Sequence, residues 1–166
     1  MMFETFFLGR EKINNPSIKE MISIGKELGN AFSHSMVGNM SVRYGKRMVI
    51  TSHDNIASLT PNDFVEVVDY DIARNVALVI GKKEPSHEMP MHWLIYRRED
   101  INAIIHIHEL FNELPTTEKE EPPGSLEIAL EALKALKKGN CINLKNHGCI
   151  AIGKNLRNAK EVIPCL

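Results

Sequence analysis

The eight residues Ile101–His108, Ile-Asn-Ala-Ile-Ile-His-Ile-His, constrain the chain more than any other stretch. The run is short, apolar and β-branched, and it reads as a buried strand. Alternate side chains of a strand point to the same face, so His106 and His108 look in one direction. Imidazole is the commonest side-chain metal ligand, and three histidines around an ion leave one coordination position free for chemistry. A third histidine stands at His147 in Asn-His-Gly, and a carboxylate at Glu88 in Pro-Ser-His-Glu.

The rest of the chain alternates short strands with fewer helices. Asn15-Pro16 has the form of a helix N-cap followed by proline at the first helical position. Ile18, Met21, Ile22, Leu28 and Phe32 recur at helical spacing to about residue 33. Gly38-Asn39 reads as a turn, with strands at Met40–Tyr44 and Arg47–Thr51. Ser52–Ser58 is loop-like, and Phe64–Val68 pairs with Asn75–Ile80. Met89–Arg98 has a helical apolar face of Met91, Leu94 and Ile95. Asn112–Pro123 carries four glutamates and three prolines and marks an exposed linker. Ser125–Lys138 is the clearest helix, with Leu126, Ala129, Leu130, Leu133 and Leu136 as its stripe and Gly139 as its stop. Cys141–Leu144 and Cys149–Ile152 flank Asn-His-Gly as strands, and a last helix starts near Leu156 and is stopped by Pro164. The pattern predicts one α/β domain over residues 15–166, a mixed sheet covered by helices, preceded by an arm over residues 1–14 that packs on the body or on a neighbour.

At 166 residues and 43% hydrophobic, the chain suits a single globular core. A net charge of −1 gives no reason to expect a nucleic-acid or membrane-surface partner. Three cysteines without a Cys-x-x-Cys spacing argue against a disulfide framework and for a reducing, cytoplasmic location. No apolar span reaches the length of a membrane helix, and the N-terminal apolar residues are interrupted by Glu4 and Arg10.

A helix over 88–98 advances about 15 Å at 1.5 Å per residue. A strand from 101 to His106 and His108 returns about 17–23 Å at roughly 3.3 Å per residue. If the strand doubles back beneath the helix, Glu88 ends level with the two histidines, and His147 must arrive from another strand. Neutral imidazoles leave a divalent ion strongly positive, able to polarise a carbonyl and stabilise an enediolate, with a carboxylate beside it to move a proton. His92 reads as structural, His34 as a helix-end residue, and Cys149 as either a fourth ligand or a small buried residue.

In order, the segments Gly38-Asn39-Met40-Ser41-Val42-Arg43, Ile50-Thr51, Leu59-Thr60-Pro61-Asn62-Asp63-Phe64-Val65, Pro85-Ser86-His87-Glu88 with His92 and Tyr96-Arg97-Arg98, Ile101–His108 and Asn146-His147-Gly148 resemble the class II aldolase/adducin family. The resemblance spans roughly residues 18–160. It implies an α/β/α sandwich around a mostly antiparallel sheet, a homotetramer, a zinc site of His106, His108 and His147, and Glu88 as the acid/base. Other divalent transition metals suit the same donors. The resemblance also places Gly38, Asn39, Thr51, Ser52, Ser86 and His87 around the substrate and its phosphate. It implies a metal-dependent lyase, cleaving a ketose or ketose phosphate by a retro-aldol route through a metal-bound enediolate.

The chain departs from the family pattern in places. Pro-Ser-His-Glu puts His87 where the family has a serine. Thr51-Ser52-His53-Asp54 replaces a small, glycine-ended phosphate loop; Asp54 would repel a phosphate, whereas protonated His53 and His87 would attract one. No tyrosine follows Tyr96, so the tyrosine acid that the aldolases supply across a subunit boundary has no counterpart. A dehydratase acting on a methylthioribulose-phosphate-like substrate and a non-catalytic adducin-like interaction module are the alternatives. Adducin heads lack the three histidines that this chain has.

Overall fold

A computed structural model describes residues 2–32, 37–52 and 55–164. The elements run β1 (Glu4–Gly9), α1 (Ile18–Ala31), β2 (Gly38–Tyr44), β3 (Arg47–Thr51), a 3-10 turn (Ile56–Ser58), β4 (Phe64–Asp71) and β5 (Val76–Ile80). They continue with α2 (Met89–Ile95), β6 (Ala103–Ile107), α3 (Leu126–Ala135), β7 (Cys141–Leu144), β8 (Gly148–Gly153) and α4 (Leu156–Glu161). The expected His34, His53 and Asp54 roles fall outside the described residues.

One eight-stranded sheet takes the order β1-β5-β4-β3-β2-β6-β8-β7. Only the β1–β5 pair is parallel; every other neighbour is antiparallel. The strands at its centre are buried on both faces, and each face is covered. On one side Met89, Met91 and Ile95 of α2 and Ile128, Ala129 and Ala132 of α3 bury against Ile50, Val65, Ile104 and Ile150. On the other, Met21, Ile24 and Leu28 of α1 and Leu156 and Ala159 of α4 bury against Met40, Val49, Ile105 and Ile107. The result is a three-layer α/β/α sandwich with a mixed, mostly antiparallel sheet. Removing this apolar surface from water on both faces is the main stabilising term. Among the described residues no helix is long and apolar enough to cross a membrane.

Several boundaries differ from the sequence pattern. The α1 helix starts at Ile18 with Ser17 as its cap, although the Asn15 carboxamide still accepts from the Ser17 N–H at 2.9 Å. Both α2 and α3 stop three residues before the expected ends at Arg98 and Lys138. Their last turns tighten into i to i+3 bonds, Arg98 N–H to Ile95 carbonyl and Lys138 N–H to Ala135 carbonyl. Gly38-Asn39 is not a turn but the first two residues of β2, paired with Ile107 and His106. Glycine is needed there for proximity: a Cβ on Gly38 would lie 2.2 Å from the His106 carbonyl oxygen. The N-terminal residues Glu4–Gly9 form the edge strand β1, whose Phe3 and Phe7 neighbours pack on the α2 side of the core.

Candidate active site and metal centre

The site gathers where the N-terminus of α2, the end of β6 and the β7–β8 hairpin meet. Glu88 is the N-cap residue of α2 but makes no side-chain capping bond, so its carboxylate is free to reach inward. Its own N–H donates to the Ser86 hydroxyl at 3.3 Å, and the Ser86 N–H donates to the Thr51 carbonyl at 3.0 Å. These bonds tie the turn before α2 to the end of β3. His106 projects from β6 toward α2 and is fully buried. His108 lies just beyond the strand end with its side chain 36% exposed. His147 sits in a three-residue connection, where Asn146 takes φ +58°, a left-handed conformation that asparagine tolerates.

Four side chains distant in sequence converge there. One carboxylate oxygen of Glu88 lies 2.8 Å from His147 Nε2, and the other lies 3.1 Å from His106 Nε2 and 3.9 Å from His108 Nε2. The donor atoms of Glu88, His106, His108 and His147 all fall within 4.8 Å of one another. Burial alone would raise the Glu88 pKa, but the charge of His106 and hydrogen bonds to His106, His108 and His147 outweigh it and hold the carboxyl well below its usual range.

The donor set fits a divalent ion. The His106 Nδ1–H donates to the Cys149 carbonyl at 2.8 Å, which turns Nε2 toward the cluster, where it offers a lone pair to an ion whenever the ring is neutral. That atom stands 3.2 Å from His147 Nε2. With a proton on one of these nitrogens the pair is a hydrogen bond; with both rings neutral and their lone pairs facing, they repel unless a cation lies between them. Tetrahedral zinc with nitrogen ligands at about 2.0–2.1 Å separates them by about 3.3 Å. Cys149 has no part in the cluster: it belongs to the opposite face of the sheet, packed with Ile107 and Ala151.

The small polar residues around the cluster are placed unevenly. Asn39, directly across from His106 in the β2–β6 register, donates its amide N–H to Glu88 at 2.7 Å. Thr51 is buried and its hydroxyl accepts from the Met40 N–H at 3.2 Å. The Ser52 hydroxyl is buried with no partner. Ser86 is buried, whereas His87 is exposed. A separate cleft of about 380 Å³, lined among others by Arg43, Trp93 and Arg97, lies at the far end of α2 and contains none of the four clustered residues.

Sequence reasoning missed a buried polar chain beside the site. The Ser41 hydroxyl lies 2.7 Å from His92 Nδ1 and 2.8 Å from the Tyr96 hydroxyl. His92 and Tyr96 are four residues apart on α2, so one helical face presents both to β2. The apolar stripe of that helix drew attention away from the polar pair. Burial foremost, then the nearby charge of His106, lowers the His92 pKa to about 3, against the opposing pull of Glu88. Burial therefore favours the neutral form of His92.

Comparison with known proteins now adds a second line of support. The model of the "Class II Aldolase and Adducin N-terminal domain" matches residues 19–112 and 109–166. The L-fuculose phosphate aldolase of Methanocaldococcus jannaschii is 32% identical over 144 residues, covering 74% of this chain and 75% of the relative. A 5-methylthioribulose-1-phosphate/5-deoxyribulose-1-phosphate aldolase of Rhodospirillum rubrum is 27% identical over 165 residues, covering 85% and 69%. Among solved structures, an L-fuculose 1-phosphate aldolase superposes with a TM-score of 0.76 at 29% identity, covering 91% of this chain and 81% of that one. With nearly the whole chain matched and the sheet order and helical layers in place, this protein belongs to the class II aldolase and adducin family.

Proposed function

We propose that the protein is a divalent-metal-dependent aldolase that cleaves a ketose 1-phosphate by a retro-aldol reaction, through the enediolate of the ketone fragment. The observation that carries this reading is the convergence of three imidazoles and one carboxylate within 4.8 Å. His106, His108 and His147 would hold the ion, with zinc the metal best matched to an all-nitrogen set. Such an ion, when bound, supplies Lewis-acid stabilisation of the negative charge that develops on the substrate carbonyl oxygen.

Glu88 moves the proton. In the cleavage direction the Glu88 carboxylate takes the proton of the C4 hydroxyl, the C3–C4 bond breaks to release the aldehyde, and Glu88 returns that proton to C3 of the enediolate. In the synthetic direction Glu88 removes it. A carboxylate held low in pKa by neighbouring imidazoles is well placed to accept that proton only when the substrate lies close to it, so orientation matters as much as basicity. Thr51, Ser52 and Ser86, at the ends of β3 and before α2, provide small polar groups for the phosphate, and His87 provides an exposed imidazole at the rim. The names of these relatives, aldolases of an L-fuculose phosphate and of pentulose 1-phosphates, support a phosphorylated ketose as substrate.

The test combines elemental analysis with a substrate panel of L-fuculose 1-phosphate, 5-deoxyribulose 1-phosphate and 5-methylthioribulose 1-phosphate, scored separately for aldehyde release and for water loss. One zinc per chain and aldehyde release that falls by about 10²-fold or more in Glu88→Gln is the expected result. Water loss without aldehyde would turn the reading toward a dehydratase. Stoichiometric metal with no turnover of any member would overturn the catalytic assignment.

A further inference from the structure

We infer that Asn39 is a positioning residue for Glu88: its carboxamide fixes the carboxylate relative to the imidazole cluster. The inference rests on the proposed aldolase reading for its chemistry, although not for its geometry. Asn39 is 1% exposed and donates its amide N–H to a Glu88 carboxylate oxygen at 2.7 Å. The amide nitrogen must face that oxygen, since the amide carbonyl would repel it. The oxygen that Asn39 holds is the same one that lies 3.1 Å from His106 Nε2. Asn39 thus stands at a corner shared by the acid/base and one imidazole.

Two further observations show that the backbone is arranged around this contact. Asn39 is the register partner of His106 across β2 and β6, so strand pairing itself sets the distance between the amide and the imidazole. The preceding Gly38 lets the strands approach closely enough for this, because a side chain there would strike the His106 carbonyl oxygen. Moreover, the side-chain oxygen Oδ1 of Asn39 is buried without a hydrogen-bond partner among the described residues. A buried orphan acceptor is costly, and a residue retained for packing alone would be an apolar one.

The consequence is a division of labour within Gly38-Asn39. Gly38 permits the close strand approach, and Asn39 holds the carboxylate. With Asn39 in place, Glu88 has a neutral hydrogen-bond donor as well as the imidazoles. Without it, the carboxylate would be held by the imidazoles alone.

Two measurements test this. The first needs neither metal nor substrate: thermal unfolding of the chelator-treated protein as wild type, Asn39→Ala, Glu88→Ala and the double variant. The double variant is expected to lose clearly less melting temperature than the two single losses added together; additive losses overturn the contact. The second compares kcat and KM for L-fuculose 1-phosphate cleavage in Asn39→Ala and Asn39→Asp, the latter of equal shape but without the donor. Both are expected to keep one zinc per chain while kcat falls by about 30-fold or more with KM within about threefold of wild type. A loss confined to KM would assign Asn39 to substrate binding instead, and loss of zinc from both variants would assign it to support of the metal; either result overturns the proposal. A wild type with neither cleavage nor zinc would sink the aldolase reading, and the unfolding cycle would still decide the role of Asn39.

Discussion

At the scale of single residues, the site is built from ring orientation. One hydrogen bond, from His106 Nδ1–H to the Cys149 carbonyl, decides which nitrogen faces the cluster. His92 shows the opposite use of an imidazole. It is wholly buried, with a pKa lowered to about 3 from 6.5 by burial. The unfolded chain therefore binds this proton more readily than the folded protein. The stability that a neutral His92 contributes is complete above about pH 6.5 and is lost as pH falls toward 3. The loss approaches about 1.4 kcal/mol per pH unit. Unfolding midpoints of chelator-treated protein are expected to fall less steeply between pH 6.5 and pH 5 in His92→Asn than in wild type. Parallel slopes would mean that His92 is not the residue responsible.

At the scale of elements, close strand approach and helix capping separate into effects on the site and effects on the fold. Gly38→Ala forces a methyl group to within 2.2 Å of the His106 carbonyl oxygen, so β2 and β6 must part. A destabilisation of about 2–3 kcal/mol in denaturant titration is expected, together with weakened metal binding, because His106 and Asn39 move with those strands. Ser125→Ala provides the contrast. The Ser125 hydroxyl accepts from the Ile128 N–H at 3.2 Å and caps α3, and it contributes no donor atom to the cluster. Its loss is expected to cost about 1 kcal/mol and to leave metal content unchanged. The element boundaries also show where pattern reading failed. The expected helices run to Arg98 and Lys138, but their apolar stripes end at Ile95 and Leu136 and the backbone tightens there; a hydrophobic stripe says nothing about whether the turn after it is α or 3-10.

At the scale of the whole molecule, the site joins three elements that are remote in sequence, so any bound ion is a crosslink between them. Ligands that bind only the folded state stabilise it by mass action, about 4 kcal/mol at a thousandfold excess over Kd. Removing the metal with a chelator is therefore expected to lower the melting temperature, and zinc is expected to restore it. His147→Ala should abolish both responses. An unchanged melting temperature on chelation would count against a structural coupling between ion and fold.

Much of this architecture was legible from local pattern. The His-x-His strand, the capped helix at Ser125 and the Asn-His-Gly hairpin follow from period, caps and turn chemistry, which act over a few residues. Local pattern also indicated that His106 and His108 share a face. Whether Glu88, 18 residues before His106, and His147, 41 residues after it, would meet them depended on how α2 and β8 lie against β6. The same is true of Asn39. In the chain it is half of an ordinary turn dipeptide, and only its register opposite His106 turns its amide toward Glu88. Local interactions choose the elements because their partners are already neighbours. The site belongs to the tertiary structure because its donors are brought together by the burial of two sheet faces, a long-range packing solution that no short stretch encodes.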